Sequence, residues 1–203
     1  MFGLSASALR FARIAILVPL LGLLVAGCGV NNIPTYEEQA KAKWSDVLNQ
    51  YQRRADLIPN LVETVKGFAA QERTVLTQVV EARAKATSVK VDASTVTDPE
   101  KFKQFQDAQS QLSGALGRLI AVSEAYPDLK SNQNFLALQS QLEGTENRIA
   151  VARRDYIEAV RQYNTELRTF PGVIWASTVY RSQKPMETFT VADNVRQTPQ
   201  VKF

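Results

Sequence analysis

The sequence predicts an all-α protein, an elongated antiparallel bundle of three to four long helices with a membrane-anchoring leader at its N-terminus. Three observations support this fold class. Apolar residues recur at spacings of three and four over long stretches, helix-start signals precede those stretches, and the body of the chain shows no alternating strand pattern. With 203 residues, 45% apolar and 22% charged, the chain can bury one sizeable core.

Composition excludes several classes of site. The chain has no histidine, and Cys28 is its only cysteine. Histidine bases, histidine-containing triads, cysteine-cluster zinc sites and internal disulfides are therefore excluded. Lys and Arg number 24 against 20 Asp and Glu, a net charge of +4, without the clustered basic face that nucleic-acid binding requires. We predict no metal, no cofactor and no nucleic-acid partner, and we assign no catalytic residue.

The start of the chain has the three regions of a secretory signal. Two arginines precede an apolar run, Ile14–Val25, which two small residues and then Cys28 follow. The four residues ending at Cys28 are similar to the bacterial lipobox, in which the cysteine is acylated. We therefore predict a signal peptide at 1–27 and an exported protein held on the outer or plasma membrane by acylated Cys28. The alternative is an uncleaved transmembrane helix over 14–30, which is at the short limit for a span.

A short tether, residues 28–34, leads to the first predicted helix. Thr35 and Glu38 have the spacing of a capping box, in which each side chain bonds a free backbone amide at the helix start. The apolar period that begins at Trp44 persists to Val79, so we predict a helical stretch of about 40 residues.

Two features interrupt the pattern after that start. Pro59 falls inside the helical period, where a proline removes one hydrogen bond and crowds the preceding turn. We therefore predict a kink or a split, with Asp56 as the cap of the second part. The segment Lys85–Thr97 has no helical period and is predicted to be a loop.

A second long helix is predicted to start at Asp98-Pro99-Glu100 and to run to about Tyr126. The start places an N-cap residue, a proline at the first helical position and an acid in the first turn. Small residues recur at helical spacing along this helix, and we expect another helix to pack closely against them. They are Ser110, Gly114, Gly117 and Ala121.

The third helix is predicted to begin near Ser131 or Asn132 and to end at Phe170-Pro171-Gly172. A heptad of apolar residues indicates one continuous face toward the core. Its members are Phe135, Leu142, Ile149, Tyr156, Tyr163 and Phe170.

The C-terminal part of the chain is less regular. A short apolar stretch, Val173 to Tyr180, predicts a small helix. Residues 181–203 are predicted to be a poorly structured tail, because prolines and polar residues leave it few means of burying itself. Phe189 and Val191 alternate and are the residues able to dock.

The turn between the second and third helices has more chemistry than a connection requires. Pro127 stiffens it, Tyr126 supplies a ring with a polar end, and Glu124 and Asp128 add negative charge. This combination suits a partner with a basic or amide-rich face, so these four are the candidate partner-binding residues. Two alternatives stay open. Tyr126 packs back on the bundle end while Asp128 caps the next helix, or the two carboxylates act as an acid–base pair on a glycan.

Nine charged residues on the helices are candidates for interhelical ion pairs that set the helix register. Solvated helix faces explain most charges of this kind. The nine are Glu63, Glu143, Glu146, Glu158, Arg53, Arg54, Arg148, Arg153 and Arg154.

Two segments resemble the bacterial LemA family closely. The first is DLIPNLVETVKGFA, Asp56–Ala69, and the second runs from Ala121 to Gly172. The resemblance implies a membrane-anchored all-α bundle, here over 35–180, and assigns no biochemical activity. It also implies a TPM-domain membrane protein as partner, by gene neighbourhood alone. Many relatives keep an uncleaved N-terminal helix, so the lipobox departs from the family pattern.

We therefore interpret the chain as a non-enzymatic, membrane-anchored lipoprotein of the cell envelope that acts as a scaffold or protein-interaction module. One alternative is a carboxylate-dependent cell-wall hydrolase, or an activator of one. The other is a membrane-remodelling bundle that binds lipid headgroups, suggested by a magnetosome-associated branch of the family. An enzyme should lose function on a single isosteric carboxylate change, whereas a scaffold should fail when a surface or the anchor is removed.

Overall fold

The computed structural model describes residues 29–92 and 94–190. Within these ranges the chain is helical and has no strand, which confirms the predicted fold class. The α-helices are α1 (Asn32–Phe68), α2 (Arg73–Ser88), α3 (Pro99–Ser123), α4 (Pro127–Lys130), α5 (Gln133–Glu166) and α6 (Gly172–Thr178), with a 3₁₀ turn at Thr95–Thr97. None of these helices has the length and apolarity needed to cross a bilayer. The predicted signal peptide and Cys28 lie outside the described residues.

Four long helices form a bundle with one open side. α1 runs from the proximal end of the bundle, at Asn32, to the distal end, and α5 returns antiparallel to it along most of its length. α2 packs against α1, and α3 packs against α2. α3 and α5 face each other across the open side, and their backbones hardly come close. With 37 residues α1 is about 55 Å long, which sets the length of the bundle.

The core consists of two apolar clusters, one in each half of the bundle. The proximal cluster is centred on Trp44, whose ring centroid lies between 5.2 and 6.0 Å from four other aromatic rings, in the edge and tilted geometries that aromatic pairs prefer. These rings belong to Phe102, Phe105, Tyr156 and Phe189. The distal cluster is mainly aliphatic and includes Ile58, Leu61, Val65, Leu112, Leu119 and Leu142.

The first stretch predicted to be helical, with one apolar face from Trp44 to Val79, folds as a hairpin of two helices. The prediction of a single face was therefore wrong. α1 ends at Phe68, the chain reverses over 69–72, and α2 continues to Ser88, into the predicted loop. The apolar period persists to Val79 because both arms of the hairpin bury their stripes in the same core.

The start of α1 also corrects the prediction. The helix begins at Asn32, inside the predicted tether, and the Thr35 hydroxyl donates to the Asn31 carbonyl. Glu38 bonds Lys41 instead of a free amide. No capping box forms here, because the helix already extends through the residues that the box would have capped.

Pro59 lies inside α1, which continues through it without a split. A proline at this position has no amide to donate to the Ala55 carbonyl one turn earlier. The Nε of Arg83, on α2, donates to that carbonyl at 2.8 Å. The neighbouring helix thus supplies the hydrogen bond that Pro59 removes, and Asp56 accepts from the Gln52 side chain instead of capping a second helix.

Other helix boundaries agree with the sequence. Asp98 caps α3 by accepting from two backbone amides, and Asn132 caps α5 by accepting from one. The small helix predicted near 173–180 is α6. The heptad residues of α5 are buried except Phe170, which is 72% exposed because α5 ends at Glu166.

The small-residue stripe of α3 faces solvent, so the predicted close helix contact is wrong. A Cβ built on Gly117 meets no atom within 4 Å. α3 has a second stripe of large apolar residues, including Leu112 and Leu116, and this second stripe is the one buried in the core. The exposed small residues are Ser110, Gly114, Gly117 and Ala121.

The chain after α6 docks on the bundle, which corrects the predicted unstructured tail over 181–190. The Asn164 side chain accepts from the Met186 amide and donates to the Met186 carbonyl, both at 2.9 Å. Phe189 is buried and joins the aromatic cluster around Trp44. Val191 lies in 191–203, outside the described residues.

Two tyrosines of α5 hold this segment through its backbone. The Tyr156 hydroxyl donates to the Glu187 carbonyl at 2.8 Å, and the Tyr163 hydroxyl donates to the Lys184 carbonyl at 3.1 Å. Burial raises the pKa of Tyr156 well above its usual value and the pKa of Tyr163 to about 12. Both phenols therefore stay protonated donors near neutral pH.

The hydrogen bond from Arg83 to the Ala55 carbonyl yields a double-mutant prediction. Arg83→Met should lower the free energy of unfolding by about 1–2 kcal/mol, because it leaves that carbonyl unbonded. In a Pro59→Ala background the residue 59 amide can bond the carbonyl, so the same change should cost about 0.5 kcal/mol or less. Urea denaturation of the four proteins measures the difference. Arg73→Met, an exposed arginine on the same helix, is the control, and equal costs in both backgrounds would contradict the assignment.

Candidate functional site

A polar layer separates the two apolar clusters. One position on each of three helices interrupts the apolar stripe, and the residues are Arg54 on α1, Gln109 on α3 and Thr145 on α5. Arg54 is 1% exposed. A buried cation is costly unless it is paired and hydrogen-bonded, so the partners of Arg54 fix the arrangement of the helices around it.

Arg54 bonds both helices that border the open side of the bundle. Its Nη1 donates to the Ser113 hydroxyl at 2.8 Å and to Glu146 Oε1 at 2.9 Å. Its Nη2 donates to the side-chain oxygen of Gln109 at 2.6 Å. The guanidinium carbon lies 5.0 Å from the centroid of the Tyr51 ring, within cation–π range. One side chain of α1 therefore links α3 and α5, which hardly touch otherwise.

Nine charged residues were predicted as candidates for interhelical ion pairs. Within the described part of the chain, Arg54 and Glu146 are the two of them that pair between helices. Glu158 pairs with Arg161 inside α5, and Glu63 pairs with a lysine inside α1. The Glu146 side chain is 42% exposed, so water screens part of its attraction to Arg54. The fixed fork of the guanidinium, which no ammonium group can copy, contributes more than the charge alone.

The gap between α3 and α5 forms an open groove next to the polar layer, with a volume of about 620 Å³. It is lined by Ser113, Leu116, Gly117 and Ile120 from α3 and by Gln139, Leu142, Glu143, Glu146 and Asn147 from α5. The lining has apolar residues on both walls and two carboxylates on α5, Glu143 and Glu146, of which Glu146 is paired with Arg54. Such a groove suits an amphipathic segment that carries basic side chains.

Tyr126 has a structural role at the distal end. Its hydroxyl donates to Glu72 Oε1 at 2.8 Å and accepts from Gln71 Nε2 at 2.9 Å. The hydrogen bond to Glu72 raises the pKa of Tyr126, so the phenol stays a donor. Tyr126 therefore links the α3–α4 turn to the α1–α2 turn. This contact agrees with the alternative in which Tyr126 packs back on the end of the bundle.

The other candidate residues of this turn are exposed. Glu124 pairs with the Lys130 ammonium group, Pro127 begins α4, and Asp128 lies in the first turn of α4. Asp128 does not cap α5, because Asn132 does. The described residues include no group of three acidic or cysteine side chains placed to hold a metal ion. Among the described residues, Asp128 and Glu143 form no salt bridge, whereas Glu124 is paired with Lys130 and Glu146 with Arg54.

Sequence reasoning included Arg54 among nine charges without singling it out, and it missed the groove. The signal for Arg54 was available. It lies three residues after Tyr51 and four before Ile58, at a position where the apolar stripe of α1 requires a core residue. The groove had no comparable signal, since it arises from how far apart α3 and α5 lie.

Comparison with known proteins identifies relatives of the chain. The profile described as LemA family matches residues 43–203. Magnetosome protein MamQ 2 of Paramagnetospirillum magneticum is 28% identical over 157 residues, which covers 70% of this chain and 58% of that protein. Protein LemA of Metamycoplasma hominis is 28% identical over 118 residues, which covers 58% of this chain and 49% of that protein. The chain therefore spans only about half of the length of these relatives, or slightly more.

Replacing the guanidinium fork tests the polar layer. Arg54→Lys should lower the free energy of unfolding by about 2–3 kcal/mol, because one ammonium nitrogen cannot reach Gln109, Ser113 and Glu146 together. The control is Arg53→Lys, the same substitution at the exposed neighbouring residue, which should change stability by about 0.5 kcal/mol or less. Denaturant midpoints and slopes of both variants provide the measurement. Equal denaturant midpoints for Arg54→Lys and Arg53→Lys would show that the stability of the polar layer does not depend on the guanidinium group of Arg54.

Proposed function

Since the chain belongs to the LemA family, we propose that it is a non-enzymatic interaction module, anchored to a membrane of the cell envelope, that binds a protein partner in the α3–α5 groove. The observation that carries this proposal is the groove itself, an open side in an otherwise packed bundle. Of the apolar lining residues, Ile120 is half-buried and keeps surface that a bound segment can cover, whereas Leu116 and Leu142 are already buried in the core.

The proposed partner segment is an amphipathic helix with an apolar stripe and basic residues. Gly117 leaves space on the α3 wall for a close approach of another backbone. Glu143, on the α5 wall, accepts a hydrogen bond only from the Gln139 side chain among the described residues and is free to receive a cation. At the distal end Asp128 adds an exposed carboxylate without a salt bridge among the described residues, whereas Glu124 is paired with Lys130. A TPM-domain membrane protein is one candidate that can supply such a segment.

The proposed anchor is acylated Cys28, the residue before Gly29, which lies at the proximal end. Gly29, the next residue, has a φ of +93°, and a Cβ built there would lie 3.3 Å from the Pro171 side chain. The Asn32 side chain donates to Glu166, the last residue of α5, at 3.2 Å. The helix α1 begins at Asn32, inside the tether that the sequence suggested, so three residues separate Cys28 from the start of the bundle.

Binding is proposed over catalysis because the carboxylates at the distal turn already have partners or lie apart from any enclosed site. Glu124 pairs with Lys130, and the groove is open along its length. The relatives named above carry no enzyme name.

Changing the sole cysteine tests the anchor. Cys28→Ala should leave an uncleaved precursor that incorporates no labelled fatty acid, because the acylated sulfur is gone. The control is Val30→Ala, a substitution two positions after Cys28, and this variant should be labelled and processed like the natural protein. Metabolic labelling followed by gel analysis provides the measurement, and equal labelling of Cys28→Ala would refute acylation at this residue.

Filling the groove tests the binding site. A photo-crosslinking amino acid at the exposed Asn147, used in cells, should capture a partner whose crosslinked peptide is a basic amphipathic helix. Gly117→Leu should reduce that product about tenfold or more, because the new side chain occupies the groove.

The matched control is Gly67→Leu, since Gly67 also has no atom within 4 Å of a built Cβ but lies on α1, away from the groove. It should leave the crosslinked product at its natural level. Thermal melts confirm that both variants fold. Equal crosslinking in the two leucine variants, or a crosslinked peptide without basic residues, counts against the groove.

A further inference from the structure

We propose that an apolar patch at the proximal end, Phe170, Val173, Ile174 and Val179, inserts into the surface of the bilayer that holds the anchor. The proposal rests on the proposed function, because acylated Cys28 decides which end of the bundle meets the membrane. It adds a second, protein-borne membrane contact, made by α6 and by the residues just before and after it.

The patch concentrates exposed apolar side chains in one place. Among the described residues, nine large hydrophobic side chains are exposed, and four of them fall in the ten residues 170–179. Phe170 is 72% exposed and Val179 is 60% exposed. The other five are spread over α1, α2 and α5 and form no comparable run. Exposed apolar side chains clustered in this way are typical of an interaction site.

One close approach brings the patch near the proposed anchor. A Cβ built on Gly29 would lie 3.3 Å from Pro171, the residue between Phe170 and α6. Consecutive Cα atoms are about 3.8 Å apart, so Cys28 attaches within one residue of this contact. Acyl chains on Cys28 therefore enter a bilayer next to the patch, and the bilayer is the apolar phase that this surface meets first.

The position of α6 is fixed by the bundle. A Cβ on Gly172 would clash with the Glu166 carbonyl and lie 2.8 Å from its carboxylate oxygen, so only glycine permits this close packing. The ring of Trp175 packs against the proximal cluster on the inner side of α6. With its inner side held in this way, α6 presents Val173 and Ile174 outward as a fixed surface.

The charges around the patch also suit a membrane surface. Arg168, Arg181 and Lys184 are exposed, whereas the two carboxylates of residues 165–190, Glu166 and Glu187, are half-buried. Exposed cations beside apolar side chains are typical of segments that lie in the interface of an anionic bilayer.

Fluorescence quenching by brominated lipid tests the proposal. The full chain, extracted from membranes with its acyl group, is reconstituted into vesicles of phosphatidylglycerol and phosphatidylcholine with brominated or ordinary acyl chains. The two tryptophans are Trp44, buried in the core, and Trp175, on α6. Trp175 emission should fall by about half in brominated vesicles, since interfacial segments reach the acyl boundary. Trp175→Phe reports the Trp44 background, which should not be quenched.

The double variant Val173→Ser and Ile174→Ser should lose the quenching of Trp175. Its control is the double variant Val151→Ser and Ile157→Ser, which removes apolar side chains that are also exposed, on α5. That control should be quenched like the natural protein. Circular dichroism checks the fold, and Phe170→Ser, which lies outside any helix, gives a second test if α6 unfolds.

The outcomes separate this proposal from the proposed anchor. Mass spectrometry of the same preparation reports acylation at Cys28. An acylated protein whose Trp175 emission is equal in both kinds of vesicle overturns the patch and leaves the anchor standing. An unacylated protein with quenched Trp175 refutes the anchor and supports the patch. Quenching that survives in the Val173 and Ile174 double variant also overturns the patch.

Discussion

The bundle depends on the hydrogen bonds that the two Nη atoms of Arg54 make inside the core. Its donors reach Gln109 and Ser113 on α3 and Glu146 on α5, so one side chain of α1 sets the separation of two helices that have almost no backbone contact. Apolar packing is non-directional and would accept several spacings across this side. Hydrogen bonds with fixed lengths and angles accept far fewer, and an unbonded buried donor is costly. The polar layer therefore gives the open side of the bundle a defined width.

Local patterns were sufficient for the fold class and for most elements. The heptad of α5 and the Asp98 cap of α3 each depend on residues close together in sequence, and both are found in the structure. Periodicity alone cannot report a reversal of the chain, because the two arms of a hairpin bury the same kind of stripe. That is why the α1–α2 turn was missed while Val79, the last residue of the predicted apolar period, does lie in the core.

Two of the errors share one physical cause, which is that the decisive partner lies far away in sequence. Pro59 stays inside a continuous helix because Arg83 bonds the Ala55 carbonyl. The segment around Met186 docks because Asn164 bonds its backbone. The candidate site shows the same limit. Local chemistry identified an unusual turn at the distal end, but the groove depends on the spacing of two helices, which no local pattern encodes.

Glu146 belongs both to the groove and to the polar layer, so a partner bound in the groove can change the contacts of the layer. A basic side chain bound in the groove competes with Arg54 for the same carboxylate. Arg54 then keeps its bonds to Gln109 and Ser113, so α3 stays tied to α1 while α5 loses its link to the layer. The long α1–α5 contact and the docking at the proximal end are unaffected, because they do not use Arg54. Any adjustment on binding is therefore confined to the α3–α5 side, and the end proposed to meet the membrane keeps its structure.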